Sequence, residues 1–152
     1  MKSIALGLLV GFVAWQAAAA EGEWMTDFAK AQEKAKKEKK LLLLDFTGSD
    51  WCPPCKALHK NVFSSKEFAD FAKTNLVLVE VDFPRRKPQT PEQKQANAEL
   101  AKKHDIDSYP TIIVLDSTGK QLSKESGYGG EPATQYVAKL KKLKKGKFLC
   151  IS

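Results

Sequence analysis

The stretch LLLLDFTGSDWCPPCK, residues 41–56, decides the fold. Leu41 to Phe46 is a continuous apolar run interrupted only by Asp45, short enough to be a strand buried on both faces. Gly48, Ser49 and Asp50 then supply the turn residues of a loop. Beyond Pro54, Ala57, Leu58, Val62 and Phe63 return at helical spacing. Cys52 and Cys55 therefore stand where a loop enters a helix, separated by two prolines. A C-x-x-C beside a strand–helix–strand pattern reads as a redox motif. If Cys52 caps the helix, its sulfur sits where free N–H groups and the positive end of the helix dipole favour the thiolate. That thiolate is the nucleophile of disulfide exchange, and Cys55, one turn further in, is placed to resolve the mixed disulfide.

Working outward, Trp24, Phe28, Ala31 and Ala35 predict an amphipathic helix before the strand. After a break at Ser64-Ser65, a helical stretch around Phe68 and Phe71 leads into NLVLVEVDF (75–83), a strand rich in β-branched residues. PRRKPQTPEQ (84–93) holds three prolines and no apolar residue and reads as an exposed loop, with the helix PEQKQANAELAKKHDI beginning at Pro91. YPTIIVLDSTGKQLSKESG predicts a β-hairpin turning at STG, and EPATQYVAKLKKLKK a closing helix with Tyr136, Val137, Leu140 and Leu143 on one side. The expected result is one α/β domain, a mixed sheet with helices on both faces, the early strands parallel and the last pair antiparallel.

The chain has 152 residues, 43% hydrophobic and 28% charged, a composition that suits one globular domain and excludes disordered or fibrous classes. Residues 1–20 carry Lys2, an apolar run from Ile4 to about Val13, and Ala18 and Ala20 in an A-x-A pattern. They read as an export signal cut after Ala20, leaving a domain of residues 21–152 in the periplasm or outside the cell, without stable membrane insertion after cleavage; an uncleaved anchor is the alternative, since Ile4 to Ala20 is uncharged. The net charge of +7 lies largely in the runs KAKKEKK and KLKKLKKGK, which read as solvated helix faces. No aromatic residues alternate with these cations to stack bases, which argues against nucleic acid.

Residues 41–56, with Trp51 immediately before the first cysteine, resemble the active-site strand, loop and helix of the thioredoxin family. Tyr109-Pro110-Thr111 resembles that family's cis proline facing the cysteine pair, and SGYGG (126–130) its closing glycine segment. The resemblance runs in order over most of the chain after residue 21. It implies a thioredoxin-like fold and thiol–disulfide exchange through Cys52 and Cys55, with no bound cofactor. It also implies that Trp51, Tyr109 and Pro110 form a substrate-docking surface, and that Asp45 lies beneath Cys55 and helps to move its proton. The lysine that often accompanies this aspartate in the family would fall near Leu78. The implied partners are proteins with exchangeable thiols or disulfides and a recycling reductant, a membrane thiol reductase being one candidate.

Several residues carry a second reading. Pro53 and Pro54 have no N–H to offer the Cys52 sulfur, which predicts a modest depression of its pKa and a poise toward reductase or isomerase rather than oxidant. His59 shares a helix face with Cys52 and Cys55, so a copper or zinc site made from these residues is the competing possibility, as is a protein that only docks a partner through its basic face. Cys150 makes the cysteine count odd and reads as a small thiol packed beside Phe148, Leu149 and Ile151. The 84–93 loop is longer than a compact domain of this kind needs and reads as a solvated or partner-specific addition.

Overall fold

A computed structural model describes residues 23–148. Residues 1–20, expected to be an export signal, and Cys150 lie outside the described residues. The chain runs β1 (Trp24–Met25), α1 (Phe28–Glu38), β2 (Leu41–Thr47), α2 (Pro53–Leu58), a π-helical turn (His59–Phe63), α3 (Lys66–Asn75), β3 (Leu76–Asp82), α4 (Pro91–Lys103), β4 (Thr111–Leu115), β5 (Gln121–Ser126) and α5 (Ala133–Phe148). The five strands form one sheet in the order β1-β3-β2-β4-β5. β1, β3 and β2 are parallel, while β4 runs antiparallel to β2 and β5 antiparallel to β4. This is the expected mixed sheet.

Every residue of β2 is buried, as a central strand covered on both faces must be. Its alternate side chains feed two cores. Leu41 and Leu43 pack with Leu58, Phe63 and Phe68 of the segment after the cysteines and with Tyr136 and Leu140 of α5. Leu42, Leu44 and Phe46 pack with Ala31 and Ala35 of α1 and Leu100 of α4. Asp45 has the parity of Leu43, so its carboxyl is directed to the face that carries the cysteine helix. Tyr136, Val137 and Leu140 are buried and Leu143 packs against them, as the spacing predicts.

The N-terminal helix is shorter than its periodicity suggests. Asp27 accepts a hydrogen bond from the Lys30 N–H and fixes the helix start at Phe28. Trp24 and Met25 are instead extended and pair with Leu78 and Val79, and the Trp24 ring sits 5.1 Å from that of Phe63. The break at Ser64-Ser65 is present, with Ser65 capping α3 through the Phe68 N–H. α2 does not run to that break as a uniform helix: its last turn widens to π geometry, closed by the Ser64 N–H on the His59 carbonyl. α4 begins with Pro91 in its first turn, so residues 84–90 alone form the loop.

Candidate active site

Cys52 and Cys55 form a disulfide, with Cα atoms 5.3 Å apart. Cys52 is the N-cap of α2 in extended conformation, and its Sγ accepts a hydrogen bond from the Cys55 N–H at 3.3 Å. The intervening positions, Pro53 and Pro54, have no N–H to add. The capping geometry follows from composition: the prolines fix helical φ for the first turn and leave the preceding residue extended. Both cysteines are buried, while Pro53, Pro54 and Lys56 are exposed.

Asp45 is buried on the Cys55 side of the sheet. It is 5% exposed, and its Oδ1 has no hydrogen-bond partner. It shares with Cys55 the wall of a cavity of about 390 Å³ that also touches Thr47, His59 and Glu80. The residue opposite Asp45 on β3 is not Leu78 but Glu80, because the parallel register pairs Asp45 with Glu80 and Leu43 with Leu78. The position facing Asp45 thus holds an acid rather than the lysine that often accompanies this aspartate in the family. Burial, followed by repulsion from Glu80 and Asp82, pushes the Asp45 carboxyl up to about 8. Glu80, half-buried, is raised for the same reasons, burial first and Asp82 second.

The loop before Cys52 is fastened on two sides. Trp51 donates from Nε1 to the Phe83 carbonyl at 2.8 Å, its ring meets that of Tyr109 edge-on at 5.8 Å, and the Arg85 guanidinium lies 3.9 Å above it. Tyr109 also packs on Phe83, and the Tyr109–Pro110 bond is cis. Trp51, Tyr109 and the start of β4 are thus brought together beside the cysteine loop. On the other side, the Asp50 carboxylate accepts hydrogen bonds from the backbone N–H groups of Arg85, Arg86 and Lys87 at 2.6 to 3.2 Å. These bonds, that from Arg85 first, hold Asp50 down to about 2.

Gly48 is required by this arrangement. A Cβ at that position would lie 2.4 Å from Trp51 Cε2 and 2.7 Å from Nε1. Gly48→Ala is expected to expel the indole, break its bond to Phe83 and destabilise the fold by about 1–3 kcal/mol. Denaturant unfolding followed by tryptophan fluorescence measures both effects, and an unchanged midpoint with an unchanged spectrum contradicts them.

The metal alternative finds no such support. His59 Nδ1 lies 3.3 Å from Ser64 Oγ, the Cys52 and Cys55 sulfurs are bonded to each other, and among the described residues no three His, Cys, Asp or Glu side chains are grouped to hold an ion. Reading the sequence alone missed Glu80, Asp50 and Arg85. Glu80 had a faint signal, an acid within an apolar strand. The Asp50 clamp had none, since its donors are backbone groups.

The profile of the thioredoxin-like domain matches residues 28–144. The chain is 39% identical over 124 residues to the disulfide bond reductase DsbH of Chlamydia pneumoniae, covering 82% of this chain and 74% of that protein. It is 32% identical over 108 residues to the thioredoxin-related protein DsbJ of the same organism, covering 71% of this chain but 31% of the relative. A solved structure described as DsbH oxidoreductase superposes with a TM-score of 0.77 at 33% identity, over 95% of this chain and 94% of that one.

Proposed function

The chain belongs to the thioredoxin-like family and is a thiol–disulfide oxidoreductase, and on that premise we propose that it works outside the cytoplasm as a reductase of protein disulfides. The observation that carries the mechanism is the placement of Cys52 at the cap of α2 with Cys55 and Asp45 on one cavity. Export rests on the leader pattern in residues 1–20. Reduction, rather than isomerisation, is supported by the name of the relative DsbH, and the absence of N–H groups at Pro53 and Pro54 argues against an oxidant.

In the reduced protein the Cys52 thiolate attacks one sulfur of a substrate disulfide. A mixed disulfide forms and the other substrate sulfur leaves as a thiolate. Cys55 then gives its proton to the ionised fraction of Asp45 and attacks Cys52 Sγ. The second substrate sulfur leaves, the substrate has gained two electrons, and the protein is left with the Cys52–Cys55 disulfide described here. An acid held near 8 is matched to a thiol of ordinary pKa about 8.5, so the proton transfer is close to balanced. Trp51 and Tyr109 with Pro110 line the docking edge, where Pro110 contributes no N–H to compete with a substrate strand. A dithiol partner must then reduce the pair again.

The reduction potential of Cys52/Cys55, measured in the full chain carrying Cys150→Ser against thiol buffers, tests this reading. A value near −270 mV is expected of a reductase, and one near −120 mV identifies an oxidant and overturns it.

A further inference from the structure

The rim of the disulfide carries cations that the exchange chemistry does not use. Arg85, Arg86 and Lys87 are exposed, and the Asp50 clamp holds their backbone beside the cysteine loop. Lys87 Nζ reaches Ser49 Oγ at 3.0 Å, and Lys56 Nζ reaches the Asp50 carbonyl at 3.0 Å. Lys60, one turn after Lys56, is exposed on the same helical segment. Among the described residues, ion pairs form at Lys30, Lys34, Lys40, Lys66 and Lys139, and none of the rim cations takes part in one.

The nearby acids offset this charge only in part, ionised Asp50 standing among the rim cations Arg85, Arg86, Lys87, Lys56 and Lys60. Asp50 is occupied by backbone N–H groups, and Asp82 accepts from the N–H and the hydroxyl of Ser49. Glu80 lies half-buried in the cavity beneath, with its carboxyl raised toward the neutral form. The clamp's donors are main-chain groups, so it fixes where the cations stand and leaves the side chains of Arg85, Arg86 and Lys87 out of ion pairs with Asp50.

We propose that this rim is a docking surface for acidic polypeptide: a partner whose exchanged cysteines are flanked by Asp and Glu. The inference deepens the exchange reading above and rests on it. Opposite charge steers encounter and fixes orientation before any bond is exchanged, and arginine adds planar, bidentate recognition of carboxylates.

The test is binding, measured apart from turnover. The oxidised full chain is titrated into fluorescently labelled peptides without cysteine, one rich in Asp and one with Lys at the same positions, and anisotropy is read at low and high salt. The Asp peptide is expected to bind at least about tenfold tighter at ~20 mM salt, with the contrast falling several-fold at ~300 mM as screening shortens. Arg86→Ser with Lys87→Ser should lose most of the contrast, and Arg86→Glu with Lys87→Glu should invert it, an outcome available only to a folded protein. Lys36→Ser with Lys37→Ser, on α1 across the sheet, should leave it intact. Equal binding of the two peptides, insensitivity to salt, or an equal loss in the α1 variant overturns the proposal. Reduction of hydroxyethyl disulfide by the same preparation is followed separately. If that alone is missing, the exchange reading falls while the peptide contrast still reports the surface.

Discussion

Cys52→Ser is expected to abolish disulfide exchange, and Cys55→Ser to stop it one bond earlier with the substrate still attached. A serine hydroxyl in place of the capping sulfur is not ionised near neutral pH and cannot form the mixed disulfide, so turnover should fall at least about 10³-fold, roughly 4 kcal/mol of barrier. Cys55→Ser retains the nucleophile and the cap. What it removes is the attack on Cys52 Sγ that releases the product. Intact-mass analysis after mixing the reduced variant with a protein disulfide should show a one-to-one adduct, and peptide mapping should place it on Cys52. Residual turnover in Cys52→Ser, or an adduct on Cys150, sinks the assignment of roles.

Asp45→Asn is expected to stabilise the oxidised protein at neutral pH. An unfolded aspartate releases its proton near 3.8, whereas the folded one holds it to about 8. Between these values the unfolded state binds fewer protons than the native state, so stability falls as pH rises through this window. At pH 7 the burden is on the order of 4 kcal/mol, at about 1.4 kcal/mol for each pH unit above the unfolded pKa. Asparagine is nearly the same size and does not ionise, so it escapes that slope. Urea unfolding from pH 4 to 8 should show wild-type stability declining and the variant declining less steeply, Glu80 keeping a smaller slope of the same sign, with the two converging at the acid end. The same variant should slow resolution of the mixed disulfide, since Cys55 loses its proton acceptor. Parallel pH profiles in the two proteins contradict a buried acid with a raised pKa.

What the sequence revealed depended on range. β2 was legible because a strand buried on both faces must be continuously apolar, and the hairpin because its turn residues sit between two β-rich runs. Asp45 drew notice for the same reason: a carboxyl inside such a run is conspicuous. Glu80 faces Asp45 on the neighbouring strand but is 35 positions away in the chain, and only the strand register brings the two together. Trp24 shares the helical spacing of Phe28 and Ala31, and the two-residue strand it forms is decided by an edge of β3 that no local pattern announces. The clamp on Asp50 is least visible of all, because main-chain N–H groups have no letter in the sequence.

That clamp separates address from message. The carboxylate at position 50 recognises the backbone of residues 85–87 and is indifferent to what those residues are, provided none is proline. The segment is therefore a socket beside the disulfide into which other tripeptides fit. A set of variants differing only at these three positions, with Asp50 and the cysteine loop kept, offers a way to redirect one redox centre toward chosen clients without rebuilding the domain that houses it.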